Sequence, residues 1–452
     1  MRSLQYRRLA FMLNLLFCLG AVAAAPSAAA TPAAAAPNWV TAWTASAQGP
    51  YPSGYPSAQP NLSFAFPDPA TGAHDQSFRL IVRPDVWAPS TRLRFTNAFG
   101  TKPVTFDNAY AGEYAIAGTL VPDTNMPVRF GGAVTVTVAP GQSVWSDPVA
   151  LPFVHGAGDA ALIGRKLAVS FHVAGESGPM TWHAKALTTS YVTAPGAGIA
   201  GGRDDDAAFT FATASWFFLD AVDMAMPAGT RLVVALADSI TDGTDSTMNG
   251  DDRWPDQLSR RLHAAYGSQV AIVNEGIGGN RITGPAVYTP AQPFAGGPAA
   301  VQRLDRDVTS LSGVSTVIIF EGINDFGTAG EGATPQLVEA ALTDIVKRLR
   351  KKIPGVRVIG ATLTSALAST NPMHGSPAED AERRSFNTFV RGSKLFDAVI
   401  DFDAVTLDPQ TGSMKAEFVP DNTVGGPGDK LHPNRAGYQA MANAIELRLL
   451  AP

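Results

Sequence analysis

The chain has 452 residues, one cysteine (Cys18), and a formal net charge of −5 from 34 basic and 39 acidic residues. The mild acidity argues against a polyanion-binding surface, so no nucleic-acid partner is expected. A single thiol excludes a disulfide framework and a thiolate metal cage, and the length allows two or three domains with cores of their own.

The opening stretch "MRSLQYRRLAFMLNLLFCLGAVAAA" places Arg2, Arg7 and Arg8 before an apolar run from Leu9 and closes on small residues. That order is a secretory signal peptide. Its apolar part is shorter than the roughly 20 residues a spanning helix needs. Arg7-Arg8 also raises a twin-arginine signal, although the following Leu-Ala fits that pattern poorly. Cys18 lacks the small residues expected before a lipid-modified cysteine. Residues 1–36 thus read as a signal peptide and an Ala/Pro-rich linker, "PSAAATPAAAAP". The mature protein is expected to be secreted or periplasmic, with no membrane insertion after cleavage.

Residues 37–228 read as β. Runs such as "SFRLIVRP", "TRLRFTNAFG", "AVTVTVAPG" and "KLAVSFHVAG" alternate apolar and polar residues and stop at Pro, Gly, Asn or Asp. Short alternating strands with regular turns predict an antiparallel sandwich or jelly-roll-like domain. "PGAGIAGGRDDD" reads as an exposed loop.

From 229 to 452 the grammar changes. "RLVVALA", "QVAIVNEG", "STVIIFEG", "VRVIGATL" and "AVIDFD" are strand-like and almost continuously apolar, as in a parallel sheet buried on both faces. Between and after them come helical stretches, most clearly "WPDQLSRRLHAAY", "TPQLVEAALTDIVKRLRKKI" and "NRAGYQAMANAIELRLL". The alternation predicts a doubly wound α/β domain, whose ligands sit beyond the carboxyl ends of the strands.

Four polar clusters stand where that rule says to look: Asp238-Ser239, "NEGIGGN" (274–280), "EGINDFG" (321–327) and "GDKLHPN" (428–434). Singly, each has a plain structural reading. An Asp-Ser pair after a strand caps helices, "GINDFG" suits a turn, and His432 before a proline suits a helix entry. "NEGIGGN" fails the dinucleotide-binding spacing, because Arg281 stands where the third glycine belongs. The histidines at 74, 155, 172, 183, 263 and 374 show no metal-ligand spacing and are given structural roles.

Together the clusters supply a hydrolase. A serine hydroxyl needs a base, and His432 titrates in the useful range. Asp429, three residues earlier, can fix the imidazole tautomer and leave Nε2 for Ser239. The backbone N–H groups of Ser239 and Gly279 and the side-chain amide of Asn324 can serve as an oxyanion hole.

In these blocks the chain resembles the GDSL/SGNH hydrolase family. The likeness covers about 230–450 and includes "RWPDQLSRRL", "NEGIGGNRI", "EGINDFG", "VIGATLT" and "LHPNRAGYQAMANAI". It implies catalytic Ser239, His432 and Asp429, oxyanion residues Gly279 and Asn324, and neither cofactor nor metal. "WVTAWTASAQ" and "RLRFTNAFGTKPV" resemble the β domain that precedes this catalytic domain in some secreted bacterial members. One departure is Ala237, where the family usually has glycine; a negative φ there would leave the serine turn near normal.

Asn280 and Arg281 are candidate substrate contacts, with Arg281 alternatively pairing with Glu321. Asp238 and Asp325 are expected to bond backbone N–H groups. Trp254 and Pro255 suit packing and helix entry, and Trp39, Trp43, Trp87 and Trp145 suit either sugar stacking or a core. The expected substrate is an ester, first among them acetylated carbohydrate; small aryl or alkyl esters and lysophospholipids are the alternatives. Two rivals are acyl transfer by the same triad and a carbohydrate-binding protein with a degenerate hydrolase half.

Overall fold

The computed structural model describes residues 37–327, 333–419 and 427–451; the expected signal peptide and linker lie outside the described residues. Up to residue 226 the main strands are β1 (Trp39–Thr44), β2 (His74–Val82), β3 (Ser90–Thr96), β4 (Val104–Ile116), β5 (Leu167–Glu176) and β6 (Leu219–Ala225). In one antiparallel sheet β6 lies between β1 and β3; in another β5 lies between β2 and β4. Alternation explains how they pack. Phe78 of β2 stacks on Phe171 of β5 at 5.2 Å, and Phe171 meets Phe95 of β3 edge-on at 5.2 Å, so side chains of both sheets share one aromatic core.

The other face of β5 is polar. Ser170 Oγ accepts from Arg79 Nε at 2.9 Å, and His172 reaches Asp107 at 2.7 Å and Asp75 at 2.9 Å. Arg79 also donates to the carbonyls of Gly118, at 2.6 Å, and Asp205, at 3.0 Å, which ties the "GRDDD" loop to the sheet. Trp43 and Trp87 are buried. Trp39 and Trp145 lie half-buried against the Arg92 guanidinium, 4.8 and 4.3 Å from their ring centres. Trp43 and Trp87 therefore belong to the core, and Trp39 and Trp145 flank the Arg92 guanidinium.

The remaining strands are β7 (Arg231–Ala237), β8 (Val270–Gly276), β9 (Val314–Phe320), β10 (Arg357–Ala361) and β11 (Ala398–Ile400), paired in parallel in the order β8-β7-β9-β10-β11. All of β7 except Arg231 is buried, as its apolar run requires. The chain passes from β7 to β8 at one edge and from β9 to β10 toward the other, so a crevice opens at the carboxyl ends of the adjacent strands β7 and β9.

The helices are α1 (Ser239–Asp242), α2 (Trp254–Tyr266), α3 (Ala300–Leu304), α4 (Ile323–Phe326), α5 (Pro335–Lys352), α6 (Pro377–Gly392), α7 (Phe402–Thr406) and α8 (Arg435–Ala444). Helix α2 coincides with "WPDQLSRRLHAAY"; Trp254 is fully buried and its indole donates to Thr241 Oγ1 at 2.9 Å. Thr334 and Ser376 cap α5 and α6, each followed by proline at the first helical position. The last helix stops at Ala444, short of the expected Leu450. Arg261 donates to the carbonyls of Ala442 and Ile445 there and satisfies that end.

Residues Pro37–Pro452 form one compact unit. Thr41 N–H donates to Ser312 O at 3.0 Å, Thr44 Oγ1 to Asn274 O at 3.1 Å, and Ser46 Oγ to Glu275. The first β segment is thus sewn to the parallel sheet beside β8. Among the described residues no helix is long and apolar enough to cross a membrane.

Candidate active site

The register that sets Ala237 opposite both Gly276 and Phe320 brings three strand ends level. At the central end, Asp238 turns the chain. Its Oδ1 accepts from Ile240 N–H at 3.0 Å and caps α1, whose first residue is Ser239. Ala237 closes β7 in extended conformation without a positive φ, so its methyl imposes no backbone strain on the turn.

Beside it, the loop after β8 carries Gly279 at φ +76, a conformation glycine adopts without penalty. The loop after β9 carries Asn324, whose Nδ2 donates to Asn280 O at 2.9 Å. Asp325 ties these two loops together, accepting from Ile282 N–H at 2.8 Å and from Thr283 N–H at 2.9 Å.

The fourth cluster arrives from the far end of the chain. Asn434 caps α8 by accepting from Ala436 and Gly437 N–H, which fixes the backbone just after His432. His432 Nε2 lies 2.8 Å from Ser239 Oγ, and its Nδ1 lies 2.7 Å from Asp429 Oδ2. Asp429 Oδ1 accepts from the N–H groups of Leu431 and His432, each at 2.9 Å. Burial pushes the Asp429 carboxyl up, but the facing imidazole and these hydrogen bonds outweigh it and hold the group well below the usual carboxylate range. Asp429 therefore stays an anion.

Ser239, Gly278, Gly279, Asn324, Asp429 and His432 line one cleft of about 250 Å³. Tyr55, Pro56, Ser57 and Lys185 complete its wall from the β part of the chain. The Tyr55 ring covers Gly279 so closely that an added Cβ would fall 2.5 Å from it. Lys185 donates to Thr244 Oγ1; burial pushes its ammonium below the usual range against the pull of Asp242. Motif reading missed this wall, because neither residue sits in a pattern that announces a site. It also missed His374, which lines the same cleft.

Asn280 and Arg281 do not line the cleft. Asn280 is fully buried, donating to the carbonyls of Gly296 at 2.6 Å and Pro298 at 2.7 Å and accepting from Arg303 Nε at 2.9 Å. Arg281 is buried with its guanidinium 4.6 Å from the Phe294 ring centre. In this structure both side chains pack within the loop region behind the cleft, away from the position expected of substrate contacts. Glu321 faces Arg303, with Nη2 3.6 Å away, in place of Arg281. Asp238, also buried, has its carboxyl pushed up to about 6 by desolvation.

Asp245, Asp429 and His432 bring ligand-type atoms within 4.8 Å of one another. Both imidazole nitrogens are already engaged, Nδ1 with Asp429 and Nε2 with Ser239, so an ion there would have to displace the Ser-His-Asp line.

A hydroxyl, an imidazole and a carboxylate in hydrogen-bonded line at the carboxyl rim of a parallel sheet define the serine hydrolase class. Residues 238–440 match the model of the GDSL-like Lipase/Acylhydrolase family, a family of esterases acting on ester bonds. Solved structures similar to this chain include a carbohydrate acetylesterase family member from Sinorhizobium meliloti, 16% identical, covering 49% of this chain and 99% of that one at a TM-score of 0.37. The inhibitor-bound aryl esterase of M. smegmatis is 16% identical, with 49% and 100% covered and a TM-score of 0.37. A lipase/acylhydrolase from Enterococcus faecalis is 23% identical, with 48% and 93% covered and a TM-score of 0.35. No curated protein matches the chain.

Proposed function

We propose that the protein is an exported serine esterase that removes short acyl groups, acetyl first among them, from carbohydrate. The observation that carries the reading is the unbroken line from Ser239 Oγ through His432 to Asp429, with spacings of 2.8 and 2.7 Å.

Ser239 Oγ–H donates to His432 Nε2 and attacks the ester carbonyl as the imidazole takes its proton. Asp429 accepts from Nδ1–H and stabilises the imidazolium. The N–H groups of Ser239 and Gly279 and the Asn324 amide receive the oxyanion; one such donor is worth on the order of 10²–10³ in turnover. His432 returns the proton to the departing alcohol, leaving an acyl group on Ser239 Oγ. Water then enters, loses a proton to Nε2 and releases the acid.

In this cleft Ser57, Lys185, Thr244 and Asn371 offer polar partners to a polar alcohol, while Tyr55, Pro56, Met373 and Leu431 offer an apolar surface to the acyl group. A second reading, aryl ester hydrolysis, draws on the Tyr55 ring beside Gly279, which offers an aromatic leaving group a stacking face. Residues 37–228 are read as a β-sandwich accessory domain, 229–452 as the catalytic domain, and 1–36 as the export signal and linker.

A panel of acetylated polysaccharides and esters of graded chain length, scored for acid release by the wild type and Ser239→Ala, tests the proposal. Acetate release that disappears in Ser239→Ala supports it. Turnover confined to esters of about C8 or longer refutes the carbohydrate assignment.

A further inference from the structure

Asn324 presents two different faces. Its Nδ2 donates to Asn280 O at 2.9 Å, and a backbone carbonyl can only accept. Oδ1 therefore lies on the other side, 3.3 Å from His374 Nε2, so that nitrogen carries a proton and donates it. His374 Nδ1 stands 2.5 Å from Glu379 Oε1, while Glu379 Oε2 accepts from Gly375 N–H at 2.8 Å. The His374 and Glu379 side chains are only 2% and 4% exposed. The arrangement resembles that of His432 and Asp429 in the same cleft, with the difference that Nε2 here donates to an amide oxygen where the other accepts from a serine, so a second proton is shared between Nδ1 and Glu379.

The ring is boxed from a further side. A methyl on Gly327 would fall 2.9 Å from His374 Cε1 and 2.8 Å from Met373 O. Gly327 itself has φ −65, open to any residue, so glycine ends "EGINDFG" to make room for His374 and not for its conformation.

We infer that His374, oriented by Glu379, is a positioning residue that locks the Asn324 amide with Nδ2 toward the oxyanion formed at Ser239. One Nδ2 proton goes to Asn280 O, and the other is left for the substrate oxygen. Without the His374 donor the Asn280 carbonyl alone holds the amide, and each excursion that turns Oδ1 toward the negative charge replaces attraction with repulsion. This inference rests on the reading of the site proposed above. It gives a role to a histidine that lies outside the four motif blocks.

The test is a double-mutant cycle on p-nitrophenyl acetate. Deleting the donor removes at most what Asn324 supplies, so His374→Leu is expected to lower kcat by about 10- to 100-fold with KM changed less than about threefold. His374→Gln, which keeps an N–H donor, is expected to recover most of that loss. In an Asn324→Ala background His374→Leu is expected to cost no more than about twofold, because the residue through which it acts is gone. The same loss in both backgrounds, or an unchanged kcat in His374→Leu, overturns the inference. Should His374→Leu fail to fold, as judged by its melting, Glu379→Gln takes its place in the same cycle. If Ser239→Ala keeps full turnover, the reading of the site itself fails; if Ser239→Ala is dead and the cycle is additive, only the role of His374 fails.

Discussion

Arg303 Nη2 donates to the carbonyl of Ala237 at 2.9 Å, tying a fully buried guanidinium to the last strand residue before the nucleophile. The same side chain donates to Glu275 O at 2.8 Å and Asn280 Oδ1 at 2.9 Å, and pairs with Asp307 at 3.0 Å. One cation thus holds together the ends of β7 and β8 and the loop that carries Gly279. Arg303→Met leaves buried carboxylates and carbonyls without their partner and is expected to cost about 3–5 kcal/mol. Urea denaturation measures it, and an unchanged midpoint would contradict this view of Arg303.

Ala237 is buried and extended, and its methyl fills space behind Ser239. Ala237→Gly restores the residue usual in the family but frees the unfolded backbone, at a cost of about 0.5–1 kcal/mol. Turnover of p-nitrophenyl acetate should change less than about threefold, about 0.7 kcal/mol in barrier height. A tenfold rise would mean that the methyl obstructs the nucleophile.

Burial pushes the Glu275 carboxyl up to about 8, with the nearby Asp307 charge adding to the shift. The folded state therefore holds this proton more tightly than the unfolded state does. Stability from this group is fully present below about pH 4.5 and is lost as pH rises to about 8, because the unfolded chain ionises first. Glu275→Gln keeps the shape and the Ser46 contact without the titration. The variant should melt higher than wild type at pH 9 and show no such advantage at pH 5. Equal differences at the two pH values would contradict the assignment.

Asp429→Asn keeps the approximate shape but removes the charge that fixes the His432 tautomer. A loss of roughly 10³–10⁴ in kcat is expected, with the melting temperature little changed, since the carboxylate is partly exposed. Steady-state kinetics with p-nitrophenyl acetate checks it; a loss below about tenfold, worth 1.4 kcal/mol, would make Asp429 a bystander.

Local patterns told most where a local cause acts. "RLVVALA" and "WPDQLSRRLHAAY" became β7 and α2 residue for residue, because burial on both faces and an amphipathic period leave a direct trace in residue order. The convergence of Ser239, Asn324 and His432 on one cleft was legible because topology brings strand ends to one rim. The burial of Asn280 and Arg281 away from the cleft was not legible because it depends on a loop lying over them: the Asn280 amide donates to the carbonyls of Gly296 and Pro298, and nothing adjacent in sequence announces that. Helix α6, whose Glu379 holds His374, did carry a signal, in Ser376 as cap with proline next and glutamate three residues on. The contribution of Tyr55 and Lys185 to the cleft follows from how the β part seats against the parallel sheet, and short-range order does not encode that.

The central claim is that Ser239 is the nucleophile, and labelling tests it most directly. Treatment with a fluorophosphonate, digestion and mass mapping should place a single phosphonyl group on the peptide containing Ser239, in step with the loss of p-nitrophenyl acetate turnover. Complete inactivation with the label on any other residue, or an unlabelled Ser239 in an inactivated enzyme, would contradict the account.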